Sequence, residues 1–317
     1  MNRSLVALYG LLVLAGLLAP WVGVYPVYLM TLYCFAIFAC AFNLLLGYGG
    51  MLSFGHAAYF GLGSYLTSWL VTSAHWGTLP AVAAGMATAM AAGLVIGLLA
   101  IRRSGIYFAM ITLALAQLVY FICLQAPFTG GENGIQGVPR GTLLGVVALK
   151  SDLAMYYFVF ALLVAVFLGI RRIVSSPFGQ VLKAIRQNEA RAISLGYDVD
   201  RYKLLVFVLS ATLAGLAGSL KALVLGFATL TDVLQATSGE VILMTLLGGA
   251  GTFLGPVVGA GIVVTLQDTL SDRVGSWVTV IIGAIFVLCV LAFRKGVVGE
   301  LQAWLERRRA RAAVSGR

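Results

Sequence analysis

Val27–Leu46 reads VYLMTLYCFAIFACAFNLLL, twenty residues without a charge. A helix of that length spans about 30 Å, the thickness of the hydrocarbon core of a bilayer. The run is continuous rather than alternating, so it reads as a membrane helix and not as a barrel strand. The rest of the chain has the same character. Apolar residues make up 61% of its 317 residues and charged residues 10%, where a soluble domain carries roughly 45–50% and 25%. Mean hydropathy is +1.00. A chain of this composition cannot cover itself with a water-compatible surface.

Further apolar runs lie at Leu5–Ala19, Phe54–Val71, Pro80–Ile101, Ile106–Gln125, Leu153–Ile170, Leu204–Leu225 and Val274–Phe293. The fold class expected is all-α, a polytopic transmembrane bundle. It has about eight spans plus a glycine-broken hairpin near 241–268, or 8–10 membrane segments. Leu5–Ala19 has the length of a signal-peptide core behind Arg3, but a second apolar run follows almost at once, and a first span is preferred. Cys34, Cys40, Cys123 and Cys289 all lie inside apolar runs and read as small buried hydrophobes.

The net charge of +10 is gathered in particular loops. Arg102 and Arg103 form one cluster, the stretch 171–203 a second and the tail 294–317 a third. The segment 126–152 is balanced, and 227–240 carries only Asp232 and Glu240. Basic loops stay on the cytoplasmic side. Both termini and the loop 171–203 are therefore placed inside, and the charge is no sign of nucleic acid. A transmembrane domain is expected over 1–293 and a basic cytoplasmic tail over 294–317.

Two segments break the apolar pattern with glycine. Leu45–Tyr65 holds Gly47, Gly49, Gly50, Gly55, Gly61 and Gly63. Gly248–Pro256 reads GGAGTFLGP. Irregular backbone survives at membrane depth only when protein or a water-filled cavity surrounds it, and paired interrupted segments point to a transport path. Close helix packing by small residues is the competing explanation. Val241–Asp268 enters and leaves on one side, as a re-entrant hairpin or as two tilted short helices.

Chemistry is sparse. His56 and His75 are the two histidines, so no histidine cluster holds a metal, and no metal or other cofactor is expected. No glycine precedes a lysine, which excludes a P-loop. Ser53 and His56 could suggest a hydrolase, but no oxyanion site accompanies them. Charged residues inside the spans are few, and Lys221, near the outer end of its span, is expected to snorkel to the headgroups. The polar segment Ser175–Lys203 reads as an amphipathic helix. Ser176 is its N-cap, Pro177 its first residue and Gly196 its C′ residue. Such a helix lies on anionic lipid or in a partner's groove.

Four stretches carry a resemblance: GYGGMLSFGHAAYFGLGSY (Gly47–Tyr65), TGGENGIQG (Thr129–Gly137), SPFGQVLKAIRQNEARAISLGYDVDRYK (Ser176–Lys203) and LLGGAGTFLGPVVGA (Leu246–Ala260). In this order the chain resembles the permease subunits of bacterial ABC importers for branched-chain amino acids, the LivM type. The resemblance implies a non-catalytic subunit of the bacterial inner membrane, itself in contact with membrane lipid. It would work with a second, LivH-like permease, two ATP-hydrolysing subunits and a periplasmic substrate-binding protein. Coupling to the ATPase would fall to Arg186, Asn188, Glu189, Ala190, Ala192 and Gly196. The general importer pattern E-A-A-x-x-x-G is met by Glu189 and Ala190, while Arg191 departs from it and Gly196 comes one residue late. The translocation path would be formed by Gly50, Ser53, Phe54, Gly55 and His56 with Gly248, Gly249, Gly251, Thr252, Gly255 and Pro256. His56 either lines that path or packs against a backbone carbonyl, with packing preferred. Thr129, Gly130, Gly131, Asn133 and Gly134 would meet the binding protein or shape the entry. The alternative is a stand-alone channel or secondary carrier for a small neutral solute such as urea or an amide.

Overall fold

The computed structural model describes residues 14–23, 25–143, 147–149, 151–274, 277, 280, 281, 283, 284, 287 and 296–300. The expected spans Leu5–Ala19 and Val274–Phe293 and the tail 294–317 lie wholly or largely outside the described residues.

The chain folds as an all-helical bundle. Helix α1 spans Pro26–Asn43, with proline in its first turn, and runs on into a π-helical turn at Leu44–Tyr48. Then come α2 (His56–Thr72), α3 (Thr78–Ala100), α4 (Ile106–Gln125) and α5 (Asp152–Ser175). Two short helices follow, α6 (Pro177–Gln187) and α7 (Glu189–Ser194). The series closes with α8 (Val199–Leu225), α9 (Gln235–Gly248) and α10 (Gly255–Val274). Among the described residues, α1 with its π turn, α3, α4, α5 and α8 are long and apolar enough to cross a membrane.

α8 is the central post, packed against α1, α2 and α3. Small residues let it approach them closely. A Cβ on Gly218 would strike the Phe60 carbonyl of α2, and one on Gly63 would strike the Gly215 carbonyl of α8. In lipid, where apolar burial gives no preference between helix and solvent, this backbone-to-backbone approach is a main source of packing energy. α4 is the least embedded of the long helices. Ile106, Tyr107, Met110, Leu118, Phe121 and Ile122 all face outward.

The region expected as a broken hairpin is the antiparallel pair α9–α10. Gly248 and Gly259 are its close-contact points, against the Gly255 and Met244 carbonyls, and Gln267 donates to Glu240 at 3.1 Å. α9 has only 14 residues. Its Ser238 hydroxyl accepts the Ala57 amide at the start of α2, at 2.9 Å.

The irregular segments sort to two ends. Loops 49–55, 101–105, 176–198 and 249–254 gather at the end that carries Arg103 and the basic stretch 171–203, designated inner by the charge rule. At the outer end, β1 (Ile135–Gln136) pairs antiparallel with β4 (Phe227–Ala228), and β2 (Thr142–Leu143) with β3 (Val147–Ala148).

Three expectations need correction. The amphipathic helix is not continuous from Ser176 to Gly196. It breaks at Asn188, whose extended backbone ends α6 and whose side chain caps α7 by accepting the Arg191 amide at 3.0 Å. The acidic stretch 227–240 is not loop throughout, since Asp232 is buried and Glu240 lies within α9. Lys221 does not snorkel. It turns into the bundle, where Asp232 neutralises it.

Candidate functional site

The two glycine breaks meet at the inner end, and α6 joins them. Asn43, in the last turn of α1, clamps the second break. Its Nδ2 donates to the Thr252 carbonyl at 3.0 Å and its Oδ1 accepts the Gly251 amide at 2.8 Å. Gly251 has φ +83° and Gly249 φ +117°, which L side chains rarely adopt. The Thr252 hydroxyl closes the turn, donating to the Gly249 carbonyl at 2.7 Å and accepting the Gly255 amide at 3.0 Å. Pro256 then sits in the first turn of α10, where its missing N–H costs nothing.

Arg186, near the end of α6, reaches into this junction. Its Nη1 donates to the Gly47 carbonyl in the π turn. The same nitrogen lies about 3.2 Å from where a Gly251 Cβ would stand, and the arginine stem fills the space beside Gly50, whose φ is +71°. One side chain thus touches both breaks from the basic loop. Next to it Glu189 pairs with Lys203 of α8 at 2.5 Å. These groups line a cavity of about 760 Å³ that also takes in Phe54, Arg103, the start of α4 and Ala250. Arg103, Arg186 and Lys203 outnumber Glu189 there, so the cavity carries positive charge.

Of the residues expected on the path, Gly50 and Phe54 line this cavity. Ser53 and His56 are buried beneath it. The Ser53 hydroxyl accepts the Gly55 amide at 3.3 Å, and His56 is not its partner. The His56 ring packs among Phe38, Phe42 and Tyr59, and its Nε2 lies 2.8 Å from the Ser210 hydroxyl. That hydroxyl donates to the Ala41 carbonyl, so it must accept from Nε2–H, which leaves Nδ1 as a bare acceptor. Gly248, Gly249, Gly251, Thr252 and Gly255 shape the turn beside the cavity.

The residues assigned to coupling divide between two faces. Ala192 is buried with Ile185 and Val199 under the α6–α7 pair. Arg186 and Glu189 are engaged by Gly47 and Lys203. Asn188, Ala190 and Gly196 lie on the exposed side, and Gly196 takes φ +85° to end α7. Ile193, Leu195 and Tyr197 were not among the residues assigned to coupling, and they are 58%, 69% and 41% exposed. Their signal was present as large apolar residues at the end of a polar helix. Asn43 was missed altogether, because a lone Asn inside a span carries no local mark.

At the outer end Thr129 is buried, its hydroxyl donating to the Cys123 and Ala126 carbonyls at 2.6 Å. Gly130, Gly131 and Gly134 have φ of +76°, +58° and +65°. Gly134 sits against the Ala228 carbonyl, where no side chain fits. Asn133 is exposed at the tip.

A multi-pass helical protein with broken helices meeting at a positively charged cavity has the build of a membrane permease. The family model described as "Branched-chain amino acid transport system / permease component" matches residues 26–290, and the chain belongs to this family. It is 28% identical over 283 residues to the high-affinity branched-chain amino acid transport system permease protein LivM of Salmonella typhimurium. It is 29% identical over 283 residues to the LivM protein of Escherichia coli. Each alignment covers 81% of this chain and 66% of the relative, so the chain spans just under two thirds of their length. The ribose import permease protein RbsC of Bacillus subtilis is 29% identical over 184 residues, 53% of this chain and 52% of the relative. No solved structure matches the chain.

Proposed function

We propose that the chain is the membrane-spanning, non-catalytic subunit of an ATP-driven importer in a bacterial inner membrane. Its substrates are branched-chain or related neutral amino acids. In this reading it pairs with a second, LivH-like permease, two ATP-hydrolysing subunits bind at the inner end, and a periplasmic binding protein delivers substrate at the outer end. The observation that carries it is the reach of Arg186 from α6 to the Gly47 carbonyl beside Gly251. A push on α6 or α7 is thereby delivered to both broken segments at once, which is what a rigid-body switch of access needs. The exposed Ile193, Leu195 and Tyr197 give an ATPase subunit an apolar patch to grip. The outer segment 129–134 shapes the entry.

The amino-acid assignment follows the LivM relatives and the apolar character of the broken segments. RbsC is named for ribose, so the architecture alone does not choose the solute, and the binding protein sets the final selectivity.

The test is charge reversal at the junction, Arg186→Glu with Glu189→Lys, in the chain co-expressed with its ATPase subunits. Uptake is expected to fall to background while ATP hydrolysis persists and the complex still co-purifies. Uptake at the wild-type level in this double variant rules out coupling through Arg186 and Glu189. Accumulation of solute by the chain alone in liposomes, without nucleotide, favours the stand-alone carrier instead.

A further inference from the structure

Among the described residues, Lys221–Asp232 is the one ion pair with both side chains buried, at 7% and 6% exposure. Its geometry is complete. Lys221 Nζ lies 2.8 and 3.1 Å from the two Asp232 oxygens, and Asp232 Oδ2 also accepts from the Ser64 hydroxyl at 3.0 Å and the Thr229 amide at 3.4 Å. The same ammonium stands 4.5 Å from the centre of the Phe227 ring, a cation–π distance. Residues 227–232 are therefore wrapped around one lysine, held at the first residue by an aromatic face and at the last by a carboxylate.

That wrapped segment carries the outer loop. Phe227 and Ala228 pair with Gln136 and Ile135. The Val138 amide donates to the Gly226 carbonyl at 2.8 Å. Gly134 rests on the Ala228 carbonyl. On the other side, Val233 and the Asp232 carbonyl lie against Gly61 of α2. A charged pair buried in protein is costly to desolvate, and such a pair is weak evidence for stability. Apolar packing would hold this segment without fixing its direction, whereas an ion pair with two further donors allows one arrangement.

We propose that Lys221 and Asp232 are positioning residues, which fix the outer surface built from 127–138 and 226–234. That this surface receives the substrate rests on the entry role given to it above. Neither residue touches substrate. They set the register in which the outer loop is presented.

The experiment uses the full chain with its partner subunits, in a background lacking the four native cysteines. Two buried reporters are read with a water-soluble maleimide on the detergent-purified complex, where both ends meet the reagent: Val138→Cys at the outer end and Val199→Cys at the inner end. Asp232→Asn and Lys221→Met are each expected to raise labelling of Val138→Cys at least tenfold and to leave Val199→Cys unchanged. Lys221→Arg stays near the parent. Because either single variant leaves an unpaired buried charge, the double variant Lys221→Met/Asp232→Asn is measured as well, and it should expose Val138→Cys equally. Unchanged outer labelling in the double variant overturns the proposal, as does an equal rise at Val199→Cys, which marks general loosening. A rise confined to Val138→Cys with uptake intact supports the positioning and removes the entry role from the loop.

Discussion

At the inner end the irregular backbone is tied by Asn43 and Arg186, two side chains that donate to carbonyls beside an open cavity of about 760 Å³. At the outer end the segment 227–232 is tied by a buried ion pair with two further donors and by a strand pairing. The strengths differ in kind. Removing one partner of a buried ion pair costs about 3–5 kcal/mol, because the other charge stays behind. Removing a hydrogen-bonding side chain costs about 1–3 kcal/mol when a buried group is left unsatisfied, and less where water can replace it. The inner junction is therefore expected to yield first. The proposed function calls for that order, with a soft joint where an ATPase subunit would push and a stiff frame where solute would be received.

The largest expected effect breaks both ends alike. Gly218→Leu drives a side chain into the Phe60 carbonyl, which is backbone and cannot step aside. We expect loss of monodisperse protein after detergent extraction, because α8 holds α1, α2 and α3 together. Asp232→Ala comes next, with about 3–5 kcal/mol of destabilisation, read from thermal unfolding in detergent. Asn43→Ala should cost about 1–3 kcal/mol and should lower uptake more than its stability loss alone explains. If Asn43→Ala costs as much as Asp232→Ala, the contrast between a soft and a stiff end fails. Glu189→Gln is the smallest. Its carboxylate is 43% exposed while the Lys203 ammonium is 8% exposed, and the glutamine amide oxygen still accepts from that ammonium, so the loss should stay at about 1 kcal/mol. Unfolding should barely move, while the ratio of uptake to ATP hydrolysis falls measurably.

Much of the fold was legible from local pattern. Apolar runs of about twenty residues mark helices because length and continuity are properties of the segment itself. Ser176 and Pro177 mark the start of α6 for the same reason, and the Ser176 hydroxyl does cap it, accepting the Gly179 amide at 3.4 Å. The break at Asn188 was also local, since Asn is a strong N-cap, but it was hidden inside a pattern of helical period. The site was less legible. The glycine breaks were evident as breaks, yet Ser53 and His56 sit three apart on the chain and bond to different partners.

By itself the sequence determined the solvent, the helical class, the basic and neutral ends and the positions of the irregular backbone, because each depends on residues close together along the chain. Tertiary structure alone decided that Arg186 meets Gly47, that Asn43 holds Gly251, and that Lys221 turns inward to Asp232 rather than outward to the headgroups. These pairings depend on how closely the helices approach, which glycines such as Gly63, Gly215 and Gly218 set through contacts between segments far apart in sequence.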